Sequence, residues 1–385
     1  MHLAPTEGQL RLRAELRAYF HDLLPDGAPE DPAAQRALLR RMGADGLLGL
    51  GWPAEYGGRG RGAEEQFVFF DEAYRAGAPV SMVTLNTVGP TLMKYGTQEQ
   101  KDRFLPRILS GEIVFAIGYS EPGAGTDLAA LRTRAVRDGA DWLVDGQKVF
   151  TSNAQNADWI WLACRTDPAA PKHRGISIIL VPTDAPGFSW TPIETVGGLT
   201  TTATYYDAIR VPAANLVGPE HGGWGLITNQ LNHERVALAA IGMQAEDFHA
   251  AALRHARTPD PATGERPADR PWVQARLAEA HARLAAVRLL NWRLVQDVGA
   301  GTLAPGDASG VKFLGTESAV EVYRICQEVV GEEALVRGPG PGAFAGGELE
   351  RMNRAAQINT FGGGVSEVQR EIVAMMRLGM KGRKR

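Results

Sequence analysis

Two short segments carry residues whose types and spacing could do chemistry. Gly118–Asp127 reads GYSEPGAGTD. Its glycines and proline allow a tight backbone whose exposed N–H groups, with the hydroxyls of Ser120 and Thr126, could hold the polar edge of a cofactor or a phosphate. A surface turn is the other reading of this stretch taken alone. It is neither the G-x-x-x-x-G-K-[ST] loop of a nucleotide-binding protein nor a G-x-G-x-x-G fingerprint between strand and helix. Further on, Asp145–Asn153 (DGQKVFTSN) ends in an aromatic, Phe150, and two hydroxyls, Thr151 and Ser152. An aromatic followed at the second position by a hydroxyl can lay a flat ring on a heterocycle and donate a hydrogen bond to its edge. Period alone describes the same residues as a buried strand end.

These segments belong to a chain of 385 residues, longer than the ~250–300 at which one core stops growing, so two or three packed lobes are expected. With 44% hydrophobic and 22% charged residues, it has the balance of a soluble globular protein. Apolar residues recur every three or four positions in Leu10–Leu23, Gln35–Leu50, Glu65–Arg75 and Gln98–Leu109, which predicts helices. After about Phe115 the period becomes two, in Trp142–Phe150, Trp159–Arg165, Ile176–Val181 and Thr202–Val211. With hairpin signals at Asp138-Gly139 and Asp145-Gly146, this lobe is expected to be antiparallel β and to position both candidate segments. Helical periodicity returns in Leu226–Arg257, Trp272–Val298 and Val311–Val330, then near Glu348–Gln357 and from Glu367, which suggests a bundle.

Several function classes are excluded by composition. Acidic and basic residues number 44 and 41, a net charge of −3, so neither nucleic acid nor an anionic membrane surface is an expected partner. Cys164 and Cys326 have no C-x-x-C spacing, and the eight histidines form no ligand pattern, so no disulfide framework and no metal is expected. There is no apolar run of the ~18–20 residues that span a bilayer, and the N-terminus lacks a basic stretch followed by an apolar one; a cytoplasmic location is expected.

The order of segments resembles the acyl-CoA dehydrogenases: a helical lobe, Tyr119–Asp127 (YSEPGAGTD), Asp145–Lys148 (DGQK), then a helical lobe ending in Gly363–Arg370 (GGVSEVQR). The resemblance covers essentially the whole chain. It implies an α+β fold with an N-terminal helical domain at 1–115, a central antiparallel β-barrel at 116–222 and a C-terminal four-helix bundle at 223–385. It also implies FAD between the β domain and the bundle, and oxidation of an acyl-CoA thioester to a trans-2-enoyl-CoA. Carried onto this sequence, Tyr119, Ser120, Gly125 and Thr126 would hold the flavin, with Thr126 also near the CoA arm. Phe150 stands where the family usually has a Trp on the isoalloxazine, and Ser152 where it has a Thr bonded to flavin N5. Thr151, Val365 and Glu367 complete the implied cofactor set, and Asn232, Arg235, Gly363 and Gly364 the implied substrate set.

The catalytic base departs from the commoner pattern. Many members carry it as the Glu of E-G-T-S-x-I-Q-R, but Gly363 holds that position here. A minority branch that includes isovaleryl-CoA dehydrogenase carries the Glu on the first long bundle helix, and in Gln230–Leu238 (QLNHERVAL) Glu234 falls on the matching position. Taken alone, Glu234 reads as a solvated helix residue; the joint pattern makes it the expected base. Gly363 retains the main-chain N–H that in the family binds the thioester oxygen, and Gly362-Gly363-Gly364 leaves room for a bulky acyl group, although a loop before a helix would look the same.

Two motifs that in homotetrameric members reach the ADP part of a neighbour's FAD are missing. R-x-x-F-G is replaced by the Pro-rich Thr258–Pro271, and Q-x-x-G-G-x-G by Gln327–Glu333 (QEVVGEE). The runs Ile117–Pro122, Thr228–Val236 and Thr360–Val365 resemble the catalytic subunit of actinobacterial heteromeric enzymes that shorten sterol side chains. That resemblance implies an α2β2 heterotetramer with a homologous subunit, and an electron-transfer flavoprotein as acceptor. A non-catalytic partner subunit, or an acyl-CoA oxidase or flavin monooxygenase on the same fold, are the alternatives.

Overall fold

The computed structural model describes residues 3–230, 242–261 and 263–381. They form two compact units: one from residues 12–195 and 200–230, the other from 3–11, 196–199 and 242–381.

The first unit begins with helices α1 (Glu7–Leu23, from Leu12), α2 (Pro32–Ala44), α3 (Ala63–Arg75), α4 (Gly89–Tyr95) and α5 (Gln98–Leu109). α5 spans the expected residues, because Thr97 and Gln100 form a reciprocal capping box that fixes its start. α2 stops at Ala44, short of the expected Leu50. The chain turns at Asp45-Gly46, with Gly46 at φ 68, and Leu47, Leu48 and Leu50 are buried from non-helical backbone. A wide π-turn, Val83–Val88, runs without a break into α4, so Pro90 lies inside a continuous helical stretch, where the wider turn before it accommodates a residue with no N–H to donate.

The sheet comprises β1 (Phe115–Gly118), β2 (Arg134–Asp138), β3 (Asp141–Lys148), β4 (Trp159–Arg165), β5 (Ile176–Pro182), β6 (Phe188–Glu194), β7 (Thr200–Pro212) and β8 (Leu216–Val217). Its order is β6-β7-β3-β2-β4-β5-β8, with β1 beside β4. Most neighbours are antiparallel as expected, but β1 and β2 run parallel to β4, so the sheet is mixed. The long passage through β2 and β3 supplies the crossover that parallel pairing of β1 with β4 needs. Asp138-Gly139 makes the expected hairpin of β2 and β3. Asp145-Gly146 does not: β3 runs on through it, and the register shift there is a bulge on β7, whose Asp207 and Ala208 (φ 48) stand against Asp145 alone. Gly146 has φ 147, and a Cβ there would lie 2.7 Å from Thr133 Oγ1, so only glycine fits. Trp142, Val144, Ile160, Leu162, Ile179 and Ile209 build the core on one face of the sheet.

In the second unit α6 (Ala245–Arg257), α7 (Pro271–Gly299), α9 (Glu348–Ala355) and α10 (Ser366–Met376) each pack on α8 (Pro305–Val330). α7 and α8 both start with proline in the first turn. Val273, Leu277, Ala280 and Leu284 put the apolar stripe of α7 against Val322, Tyr323 and Val329 of α8. No described helix is long and apolar enough to cross a membrane.

Candidate active site

β1 ends at Gly118, and the chain then closes on itself through paired main-chain bonds of 3.0 Å between Glu121 and Ala124. Glu121 turns inward and accepts from the N–H groups of Arg132 (2.6 Å) and Thr133 (2.8 Å) and from Lys148 Nζ (2.8 Å). Lys148 is wholly buried and also donates to the Tyr119 carbonyl at 3.0 Å. Burial works to raise the Glu121 carboxyl, but the Lys148 ammonium and the Thr133 N–H outweigh it and hold the group below the usual carboxylate range. The loop therefore stands on a satisfied buried ion pair. From β4, Arg165 adds a bond of 2.6 Å to the Ala129 carbonyl. Gly125 and Thr126 face solvent on the loop, Ser120 is half-buried, and Asp127 bonds Lys172 at 2.5 Å.

The second expected segment lies directly beside the first. The N–H of Val149 donates to the Ser120 carbonyl at 2.9 Å, so the loop is tied to the residue preceding Phe150. Phe150 is 64% exposed and has φ 59, a left-handed conformation that a bulky residue adopts only under constraint. Thr151 behaves otherwise than expected of a cofactor ligand. It is buried, with its N–H bonded to the Thr202 carbonyl (2.9 Å), its carbonyl to Thr202 Oγ1 (2.6 Å) and its hydroxyl to Thr204 Oγ1 (3.2 Å). That pinning leaves the outward positions to Phe150 and Ser152, whose hydroxyl lies 3.0 Å from Thr201 Oγ1.

The Tyr119 side chain points into the protein. Its hydroxyl donates to Gln230 Oε1 and accepts from Trp161 Nε1 at 3.1 Å. Asn232, Glu234 and Arg235 lie outside the described residues.

The glycine turn of the second unit is also held by a buried cation. Gly363 and Gly364 have φ 66 and 105, and Lys312 Nζ donates to the Gly364 carbonyl at 2.7 Å. A Cβ on Gly364 would lie 2.3 Å from Gln369 Nε2. Val365 caps α10, and Glu367 is exposed in its first turn. One turn on, Arg370 donates to Glu317 at 2.6 Å.

In the two segments without ADP-binding motifs, some of the charges have partners in the same segment or on neighbouring helices. Arg266 pairs with Asp269 at 2.9 Å, and Arg276 with Glu328 at 2.6 Å; Glu333 lies 3.9 Å from His255.

Lys148, Glu121 and Lys312 were not singled out from sequence. For Lys148 a signal existed: with Trp142 and Val144 it occupies the inward phase of β3, and a lysine there demands a buried partner. Lys312 gives no comparable cue, because helix α8 is polar and apolar by turns around it.

Comparisons with known proteins give the family. Residues 6–112, 116–208 and 221–378 match the family models for the N-terminal, middle and C-terminal domains of acyl-CoA dehydrogenase. The chain is 51% identical to acyl-CoA dehydrogenase FadE26 of Mycobacterium tuberculosis, over 99% of each. It is 52% identical to a chain of the Tcur3481-Tcur3483 steroid ACAD structure, with TM-score 0.93, covering 99% of this chain and 100% of that one. Against a chain of the ChsE4-ChsE5 complex of Mycobacterium tuberculosis the identity is 50% and the TM-score 0.92, covering 99% and 100%. The helical, sheet and helical sequence of domains expected from the motifs is the fold of these proteins. The chain belongs to the acyl-CoA dehydrogenase family of oxidoreductases.

Proposed function

We propose that this chain is the catalytic subunit of a heteromeric, FAD-dependent acyl-CoA dehydrogenase that acts on a bulky or branched acyl-CoA such as a steroid side-chain thioester. The observation that carries the reading is the bond from Val149 to Ser120, which sets a loop braced by a buried ion pair beside an exposed, backbone-constrained Phe150 and the Ser152 hydroxyl. That surface fits a flat heterocycle with a polar edge. Tyr119, Ser120, Gly125 and Thr126 would hold the pyrimidine edge of FAD, Phe150 its ring face and Ser152 its outer edge, with Thr151 supporting them from the sheet; Val365 and Glu367 complete the set. When bound, FAD supplies the acceptor for the hydride leaving Cβ.

Glu234 takes the Cα proton. A proton α to a thioester is weakly acidic, so the base works best in a dry site, where burial lifts a Glu from ~4.3 toward 6 or 7. The Gly363 N–H binds the thioester oxygen as enolate charge develops, and Thr126, Asn232, Arg235 and Gly364 line the acyl-CoA. The same reading keeps the three domains at 1–115, 116–222 and 223–385, with electrons passing to an electron-transfer flavoprotein in the cytoplasm.

A homologous subunit in an α2β2 assembly is supported by the relatives described as a complex and as Tcur3481-Tcur3483, and by the pairing of Arg266 with Asp269 and of Glu328 with Arg276 in and beside the two segments. Such segments offer a pyrophosphate few donors. Expressed alone, the chain should purify flavin-poor, and co-expression with the homologous subunit should give one FAD per heterodimer by absorbance and light scattering. A homotetramer carrying four stoichiometric FAD would overturn the heteromeric assignment.

A further inference from the structure

We infer that Lys312 is a positioning residue for the reaction: its buried ammonium clamps the turn at 362–366 and so holds the Gly363 N–H in the orientation that receives the thioester oxygen. The inference rests on the chemistry proposed above. Lys312 is 5% exposed, and its Nζ lies 2.7 Å from the Gly364 carbonyl, two peptide groups along from the Gly363 N–H. Burying a lysine is costly, and a charge-assisted bond to a turn carbonyl is a strong, directional return.

The turn needs such a contact. Gly363 and Gly364 both take positive φ, and glycine has little intrinsic preference among the many conformations open to it. α8 also reaches past the turn through Glu317, which accepts from Arg370 at 2.6 Å, and Ser366 Oγ donates to the Thr360 carbonyl at 3.2 Å. The Arg370 guanidinium also stands 4.6 Å over the Phe313 ring. One helix thus holds the middle of the turn and the helix that follows it. An oxyanion donor helps only if it is aligned before charge develops, so a loose turn weakens transition-state binding more than substrate binding.

The test compares Lys312→Met and Lys312→Arg in the flavin-loaded subunit complex. Lys312→Met should keep its flavin and hold KM within about threefold while kcat falls on the order of 10–100-fold. Amide hydrogen exchange over residues 362–366, read without turnover, should quicken by about tenfold. Lys312→Arg, which keeps a cationic donor, should recover most of both. If Lys312→Met does not accumulate, Lys312→Gln, a neutral donor on a shorter stem, serves in its place with an intermediate loss. Unchanged exchange, a kcat loss matching lost folded protein, or Lys312→Arg no better than Lys312→Met would overturn the clamp. If no acyl-CoA bleaches the unaltered complex, the dehydrogenase reading falls, and exchange alone then judges the clamp.

Discussion

Replacing Lys148 by Met removes the cation from beneath Ser120–Thr126 while keeping the side chain's length and apolar stem. Glu121 then keeps two main-chain donors, from Arg132 and Thr133, and the field of the Arg165 guanidinium, but loses its hydrogen-bonded counter-charge in a buried site. Stranding one partner of a buried pair costs about 3–5 kcal/mol, and the two retained N–H bonds argue for the lower end. A loss of about 3 kcal/mol corresponds to a fall in Tm of about 6–12 °C for a unit of this size. The pH dependence carries the sharper signature. In the unaltered protein the Glu121 carboxyl lies below its unfolded value, so its contribution is complete above that value, ~4.3, and is lost as pH falls through the folded one. In Lys148→Met burial acts unopposed by the ammonium and raises the group. Protonation then relieves the variant as pH falls, and the gap in Tm between the two proteins should shrink from pH 7.5 to pH 5. Thermal unfolding across that range, with flavin content measured alongside, makes the comparison. Equal midpoints, or a gap that does not change with pH, would refute the view that the loop stands on this ion pair.

Three further outcomes are expected. Glu234→Gln should retain FAD yet slow anaerobic flavin bleaching by an acyl-CoA by at least about a thousandfold, and bleaching at the unaltered rate would remove Glu234 as the base. Phe150→Gly should move stability and cofactor binding in opposite directions: release of the left-handed backbone at φ 59 is worth about 1 kcal/mol, while the lost ring weakens FAD binding in titrations. Gly364→Ala should destabilise by about 2 kcal/mol in denaturant unfolding, because φ 105 and Gln369 Nε2 at 2.3 Å both oppose a methyl; a neutral effect would mean that the turn is free to move.

Local signals were legible where one short-range device determined the outcome. The capping box at Thr97 set α5, and the continuous apolar run Trp159–Cys164 set β4, which ends at Arg165. Reading failed where tertiary contact chose between equal local options. Asp145-Gly146 has the composition of a hairpin turn, but Thr133 packs against it and β7 pairs on both sides, so the chain runs straight on. Leu47–Leu50 continue an apolar rhythm, yet the turn at Gly46 buries them without a helix. At the site, the motif residues Ser120, Phe150 and Ser152 could be named from sequence and are brought together by the fold. Thr151 has the same residue type as a surface donor, but it follows the end of β3 at Lys148 and the left-handed turn at Phe150, which sends its side chain inward, onto Thr204. The supporting charges, Lys148 and Lys312, could not be assigned partners, because those partners are a carboxylate 27 residues away and a main-chain carbonyl 52 residues away.

The order of the strands also bears on solubility during synthesis. Among the described residues the sheet ends at β6 and β8, and edge rows of main-chain groups without a strand partner can recruit strands from other copies of the chain. β8 is only Leu216–Val217, too short to template an added strand. β6 is longer and carries the exposed Trp190, but Pro192 in its middle breaks the row of N–H donors. A Pro192→Val chain should therefore fold to the same sheet yet form strand-paired aggregates at high concentration, so the proline acts as a gatekeeper against self-association.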